Sequence, residues 1–352
     1  KSFPLPFLLC GKKPNRKSFP PHYPFVFSFW GDAVFPFLFQ KMGFLNQIVL
    51  FVAKTISLKN NNEGEPMKGI ILGGGNGSRL YPITSVTNKL LIPVYDKPLV
   101  YYPLSTLMEA GIDDIMIISN QRDQERFKML FGDGREFGIR VSYGVQEVPT
   151  GIVSAFLIGE EFIGEEPCAL ILGDNVFHGK KFNESLPASL KRAQEGVATL
   201  YGYEVDDPQR FGIVELDGDN NALSIEEKPV HPKSNYAVTG LYFYPKDVVT
   251  MAKQVRPSAR GEYEITDLNN LYLKTGRVKV EKMGKETMWL DAGTFDSLLE
   301  ASFEVKRQQE KEPVAYPELV AYRKGWISRE DAEKAGERLS KNSYGKTILV
   351  NL

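Results

Sequence analysis

KGIILGGGNGSRLYPIT (Lys68–Thr84) begins as an apolar run and turns at once into glycine. Lys68–Leu72 fits a short buried strand. A glycine-rich turn behind a strand lets backbone N–H groups come close to an anion, because no Cβ stands in the way. Tight turns collect glycine too, so this stretch alone leaves its ligand open. The elements downstream of it decide the fold. PLVYYPLSTLMEAG (Pro98–Gly111) has Leu104, Leu107 and Met108 at helical spacing and stops at Gly111. DIMIIS (Asp114–Ser119) reads as a buried strand, and Asn120 can cap a helix through QERFKMLFG (Gln124–Gly132). VSYGVQ (Val141–Gln146) and CALILGD (Cys168–Asp174) are further strands. This βαβαβ order predicts an α/β fold, a Rossmann-like and mostly parallel sheet with helices on both faces. Ligands of such sheets bind at the carboxyl ends of the strands. LGGGNG (Leu72–Gly77), VQEVPTG (Val145–Gly151) and LGDN (Leu172–Asn175) all fall at those ends.

Beyond this core, FGIVEL (Phe211–Leu216), LSIEEKP (Leu223–Pro229) and YAVTGLYFYP (Tyr236–Pro245) are alternating or aromatic-rich strands with turn residues between them. They predict a mixed, partly antiparallel extension of the sheet that forms the other wall of a cleft. From about Asp296 the chain is charged and helical (SLLEASFEVKRQQEKE), packing on the core or on another subunit. The expected division is a core at about 67–200, a second part at about 201–295 and a helical tail at about 296–352.

Residues 1–66 differ from the rest. They hold 11 of the 22 phenylalanines, and eight Lys and Arg against three Asp and Glu, leaving 35 against 41 in the remainder. FLNQIVLFVA (Phe44–Ala53) lies far from the N-terminus for a signal peptide, and Lys41, Asn46 and Gln47 interrupt it as a membrane span. The segment reads as a non-native or disordered extension, with Met67 the natural start. The whole chain, 352 residues with a formal net charge of −1, gives no electrostatic reason to expect nucleic acid or a membrane as partner.

Two cysteines, Cys10 and Cys168, make no disulfide framework or zinc spacing, which suits a reducing cytoplasm. Cys168, inside CALIL, reads as a buried free thiol. Three histidines (His22, His178, His231) leave triads and His-based metal sites poorly supplied, so the chemistry is expected to proceed without an imidazole.

The glycine loop fails two common templates. A P-loop needs lysine directly after its last glycine, and here Ser78 and Arg79 follow Gly77. The dinucleotide pattern G-x-G-x-x-G has a different spacing from Gly73, Gly75 and Gly77, and Asp96 lies in a YDKP turn rather than at a strand end. What remains is a loop ending in Arg79, with Lys89 ten residues later: a planar fork and a point charge suited to a triphosphate.

The loop together with NKLLIPVYDKPLVYYPLSTLMEAGI, LGDN, FGIVE, EEKP, SNYAVTGLYFY, PSARGEYEITDLNN and WLDAGT resembles the glucose-1-phosphate thymidylyltransferases, within the sugar-phosphate nucleotidylyltransferases. The resemblance spans essentially all of residues 67–352. It implies a Rossmann-like core with a sugar-binding half, and synthesis of dTDP-glucose and pyrophosphate from dTTP and glucose 1-phosphate. That is a first step toward dTDP-rhamnose and related deoxysugars. It implies that Arg79 and Lys89 hold the triphosphate, with Gly73, Gly74, Gly75 and Gly77 donating backbone N–H groups. Gln146 would read the pyrimidine edge with Gly151 close by. Lys228 and Arg260 would clamp the sugar phosphate, Glu227 would accept sugar hydroxyls, and Gly212 and Val238 would line the pocket. Asp174 and Asp291 would hold Mg²⁺ as a pair, and a homotetramer is implied. Arg79, Lys89 and Lys228 are the expected catalytic residues.

One departure bears on specificity. The family's usual SKQLLP stands here as NKLLIP, with Leu90 in place of a glutamine, so discrimination of dTTP from UTP is expected to be loose. A uridylyl- or other nucleotidylyltransferase is the sibling alternative. A nucleotide-sugar-binding regulator is the non-enzymatic one, and retention of Arg79, Lys89, Asp174, Lys228 and Asp291 together speaks against it.

Overall fold

The computed structural model describes residues 66–352. The reading of residues 1–66 as an extension, with Cys10 and His22, thus falls outside the described residues save for Pro66.

Among the described residues, thirteen strands run in chain order: β1 (Lys68–Leu72), β2 (Pro93–Val94), β3 (Lys97–Pro98), β4 (Asp114–Ser119), β5 (Arg140–Val145), β6 (Cys168–Leu172), β7 (Asn175–His178), β8 (Ala198–Glu204), β9 (Gly212–Leu216), β10 (Ala222–Glu227), β11 (Tyr236–Tyr244), β12 (Val278–Lys282) and β13 (Met288–Asp291). Nine of them form one sheet, in which β6, β1, β4 and β5 are parallel neighbours. Ile70 and Ile71 of β1 are completely buried, as expected of a central strand covered on both faces. Beyond β6 the sheet changes sense. β11 pairs antiparallel with β6 through Leu241–Tyr244 and with β8 in a ladder that is irregular between Val238 and Tyr242, and its Ala237 pairs with both β8 and β9. Parallel core and mixed extension thus form one sheet, as the sequence predicts.

The helices form for legible reasons. Tyr101–Glu109 ends where Gly111 takes φ 93°, and the Gly111 and Ile112 N–H groups donate to Met108 and Leu107 carbonyls. Asn120 accepts from the Asp123 N–H and starts the turn that leads into the helix Gln124–Phe131. The helix Phe295–Gln309 carries a Thr294–Ser297 capping box. Its Ser302 hydroxyl accepts from the Tyr95 N–H, and its Gln309 bonds Lys97 and Asp96, so the tail packs on the core. Lys97 is buried under the rings of Tyr102, Tyr316 and Tyr344, and desolvation lowers its pKa to about 8 against the pull of Asp96. Cys168 is a buried free thiol whose pKa burial pushes up, and His231 lies exposed in its loop.

Candidate active site

The carboxyl ends of β1, β5 and β6 gather the three loops expected there from the sequence. Across from them stand β9, β10, β11 and the helix Ile265–Lys274. Between these walls opens a cleft of about 350 Å³, lined by Arg79, Asp174, Gly212, Glu227, Lys228, Val238 and Asp291, seven of the expected site residues.

Asp174 and Asp291 are far apart in sequence, and a two-stranded pairing brings them together. β7 runs antiparallel to β13 with Asn175 opposite Asp291, and the Ala292 N–H donates to the Asp174 carbonyl at 2.9 Å. The two carboxylates feel different surroundings. Burial pushes Asp174 upward, but Lys89, which contacts it directly, and Asn175 outweigh that and hold its carboxyl below the usual range. Asp291 is raised to about 6, first by burial and next by the negative charge of Asp174; Arg79, Lys89 and Arg210 only partly offset this. The pair therefore carries negative charge that the neighbouring cations offset at Asp174 and only in part at Asp291. Among the described residues no group of three or more His, Cys, Asp and Glu gathers.

Lys89 is placed by a buried network. Asn88 caps the turn Lys89–Leu91 by accepting from the Leu90 N–H, and its amide donates to the Gly73 carbonyl at 3.1 Å and to Asp123 at 3.4 Å. Asp123, wholly buried, accepts from Arg122 and Arg126. Those two guanidiniums also hold the carbonyls of Thr84, Ser85 and Val86. The Thr84 hydroxyl ties the segment back to the Gly77 carbonyl. The glycine loop and the turn bearing Lys89 are therefore one clamped unit.

Within the loop the glycines differ. The Gly73 N–H already donates to the Ile118 carbonyl at 2.7 Å, extending the β1–β4 pairing by one residue. That corrects the expectation of Gly73 as an anion donor, since its N–H is already engaged in the sheet. Gly75 and Gly77 have φ of 89° and 57°, the left-handed region in which glycine is at ease. At Gly74 a Cβ would lie 1.7 Å from Oε1 of Gln146. The buried Gln146 is thus seated against the loop, and its amide donates to the Ser154 hydroxyl, which in turn bonds the Gly151 carbonyl. Gly151 takes φ 109°, and its Cβ position is filled by the Tyr263 backbone.

Arg79 is exposed and lies against Gly293, whose Cβ would fall 2.7 Å from its guanidinium. On the facing wall, Glu227 accepts from the Thr266 hydroxyl at 2.7 Å, and Lys228 extends beside Glu227 at 3.4 Å. Arg260 does not line the cleft. It is exposed at the rim, 2.9 Å from Glu264, 3.5 Å from Glu227 and 3.8 Å from Glu262.

Asn175, Arg210 and Trp289 also line the cleft, and sequence reasoning does not single them out. Asn175 accepts from the Gly240 N–H and from the Trp289 indole, joining β7 to β11 and β13. Its one sequence signal is its place beside Asp174 in LGDN.

Leu90 is completely buried, wedged between Gly73 and Gly173, where a Cβ on either glycine would lie 2.6 and 2.3 Å from it. It supports two loops from beneath. Leu90→Gln would bury an amide against glycine backbone, at a cost of about 1–3 kcal/mol if it finds no partner. The expected result is a lower Tm with an unchanged ratio of kcat/KM for dTTP over UTP; a rise in that ratio would assign the position to base readout instead.

The nucleotidyl transferase family profile matches residues 68–308. The chain is 51% identical over 285 residues to the glucose-1-phosphate thymidylyltransferase of Neisseria gonorrhoeae, covering 80% of this chain and 98% of that protein. The enzyme of the same name from Mycobacterium tuberculosis (strain CDC 1551 / Oshkosh) is 49% identical over 286 residues, with the same coverage. A crystal structure of a Bacillus anthracis protein assigned as a glucose-1-phosphate thymidylyltransferase, in complex with sucrose, is similar at 43% identity and a TM-score of 0.62, covering 68% of this chain and 94% of that one. With the profile spanning most of the chain and relatives near half identity over their whole length, the chain belongs to the nucleotidyl transferase family.

Proposed function

We propose that the protein is an enzyme that makes dTDP-glucose and pyrophosphate from dTTP and glucose 1-phosphate. The observation that carries this reading is the convergence of Arg79, Lys89, Asp174, Lys228 and Asp291 on one cleft, in a chain half identical to enzymes of that name.

An oxygen of the sugar phosphate attacks the α-phosphorus of the nucleotide in line. The bond from that phosphorus to the bridging oxygen breaks, and pyrophosphate leaves with the electron pair. The nucleophile is already an anion, so no general base is needed, consistent with a cleft that none of the described histidines lines. Catalysis then consists of bringing two polyanions together and stabilising the charge that shifts onto the leaving oxygen. Arg79 and Lys89 hold the triphosphate over Gly74, Gly75 and Gly77, while Gln146, fixed by Ser154, faces the base beside Gly151. Lys228, with Arg260 at the rim, draws the sugar phosphate in, and Glu227 orients hydroxyls between Gly212 and Val238. Asp174 and Asp291 would hold Mg²⁺, which when bound supplies positive charge on the phosphates.

In this reading residues of about 67–200 handle the nucleotide and those of about 201–295 the sugar. The helical tail of about 296–352 packs beside them. The same reading takes the protein as a cytoplasmic homotetramer supplying dTDP-rhamnose formation. Among the described residues, no helix is long and apolar enough to cross a membrane.

The test is pyrophosphate release over a matrix of nucleoside triphosphates and sugar 1-phosphates, with and without Mg²⁺. The highest kcat/KM is expected for dTTP with glucose 1-phosphate, with loss of turnover on chelation. Preference for UTP would favour the uridylyl alternative, and binding without release in every pair would favour the regulator.

A further inference from the structure

We propose that Arg210 binds the phosphate of the sugar 1-phosphate, beside Lys228. Arg210 ends the turn Pro208–Arg210, and the next two residues, Phe211 and Gly212, lead along the cleft into β9. It lines the cleft together with Arg79, Lys228 and Asp291. Its guanidinium thus stands in the cleft where, in the functional reading above, two polyanions have to meet.

Its setting holds the arm while leaving the fork exchangeable. The Lys228 N–H donates to the Phe211 carbonyl at 3.0 Å, so the backbone carrying Arg210 is tied to the one carrying Lys228. The Phe211 ring lies 5.5 Å from that of Trp289, a second wall of the cleft, and the guanidinium lies 5.5 Å from the Phe211 ring. The acidic partner of Arg210 is Asp207 at 2.7 Å, and the two side chains are 58% and 51% exposed. An ion pair so open to solvent is held weakly and gives way readily to a phosphate.

Charge supply points the same way. Arg260 is surrounded by Glu227, Glu262 and Glu264, and Lys228 is shared with Glu227. Those two cations, partly neutralised, are a thin reception for a dianion. Arg210 adds a planar fork that can grip two phosphate oxygens at once, a geometry lysine lacks.

The inference rests on the functional reading above. Wild-type release of pyrophosphate from dTTP and glucose 1-phosphate decides that reading by itself. The KM of each variant relative to wild type, for whichever sugar 1-phosphate turns over, decides this one. Arg210→Ala removes a half-exposed side chain and should keep the wild-type Tm. The KM for the sugar 1-phosphate is expected to rise about tenfold to a hundredfold, the worth of one lost charge-assisted contact, with the dTTP KM within twofold of wild type. Arg210→Lys should fall between, keeping charge without the fork. Asp207→Ala, which releases the fork, should leave the sugar-phosphate KM at or below wild type. A sugar-phosphate KM within twofold of wild type in Arg210→Ala would overturn the assignment. So would an equal rise for both substrates, or a matching rise in Asp207→Ala, since either would trace the effect to the loop rather than to the guanidinium.

Discussion

Asp291→Asn is expected to lower turnover on the order of 10²- to 10³-fold while making the metal-free protein more stable. Both effects follow from one placement. Asp291 sits in a half-buried position beside the charge of Asp174, and its pKa of about 6 means that the folded state resists its negative charge. Replacing the carboxylate by a neutral amide relieves that resistance, by an amount on the order of 1–3 kcal/mol at neutral pH. The same replacement removes one of the two charges that would hold Mg²⁺ against the nucleotide phosphates, and the loss of one group that stabilises transition-state charge has about the magnitude given. Asp174→Asn should lose turnover to a similar degree with the opposite effect on stability. Its carboxylate is held below its usual pKa by Lys89, so the folded state favours the charge that the amide removes. With both carboxylates acting through one ion, as proposed, the double variant should lose much less than the product of the two single losses. Thermal melts in a chelator and initial rates across a Mg²⁺ titration check all three statements. If either single variant turns over at the wild-type rate in limiting Mg²⁺, that carboxylate is a turn residue and the two-aspartate site is wrong.

What the sequence discloses of this site depends on how local each determinant is. The strand ends and their loops are legible because apolar runs, glycine and capping residues act within a few positions: Leu72 before Gly73, Asn120 before its helix, Gly111 after one. The pairing of Asp174 with Asp291 is carried by the β7–β13 register, which no local pattern encodes, so resemblance alone points to it. Gly73 shows the limit of motif reasoning. Its N–H belongs to the sheet because β4 ends one residue later than β1 in their register, a fact of tertiary pairing. Arg260 and Arg210 exchange prominence for a similar reason. Glu262 and Glu264 near Arg260 are visible in the sequence, but the reach of Glu227 to it is not, nor is the opening of Arg210 onto the cleft. Asp123, the buried anchor of the glycine loop, gives no signal beyond an ordinary QRDQER segment.

Lys89→Gln should cost on the order of 10²- to 10³-fold in kcat/KM, and it should also sharpen the response to Mg²⁺. In the free protein the Lys89 ammonium contacts the Asp174 carboxylate, each partner compensating the other in a setting with little access to solvent. In the proposed reading a bound nucleotide would present Lys89 with phosphate oxygens and Asp174 with a cation, so the internal pair would be exchanged for two contacts with ligand. On that reading, removing the ammonium would delete a charge facing the developing negative charge on the phosphates, the expected source of the rate loss. It also frees Asp174 from its competitor, and half-saturation by Mg²⁺ should then occur at a lower concentration than in wild type, even as the maximal rate falls. A lysine that merely balanced a buried aspartate would behave differently: the variant would melt at a lower temperature, but its surviving folded fraction would keep a rate per site within threefold of wild type. Initial rates over a grid of dTTP and Mg²⁺ concentrations, normalised to folded protein, separate the two outcomes. Lys89→Arg provides the second check. It retains the charge with a bulkier planar head, and should recover part of the rate while moving the Mg²⁺ response back toward wild type, because Asp174 again has a cationic rival.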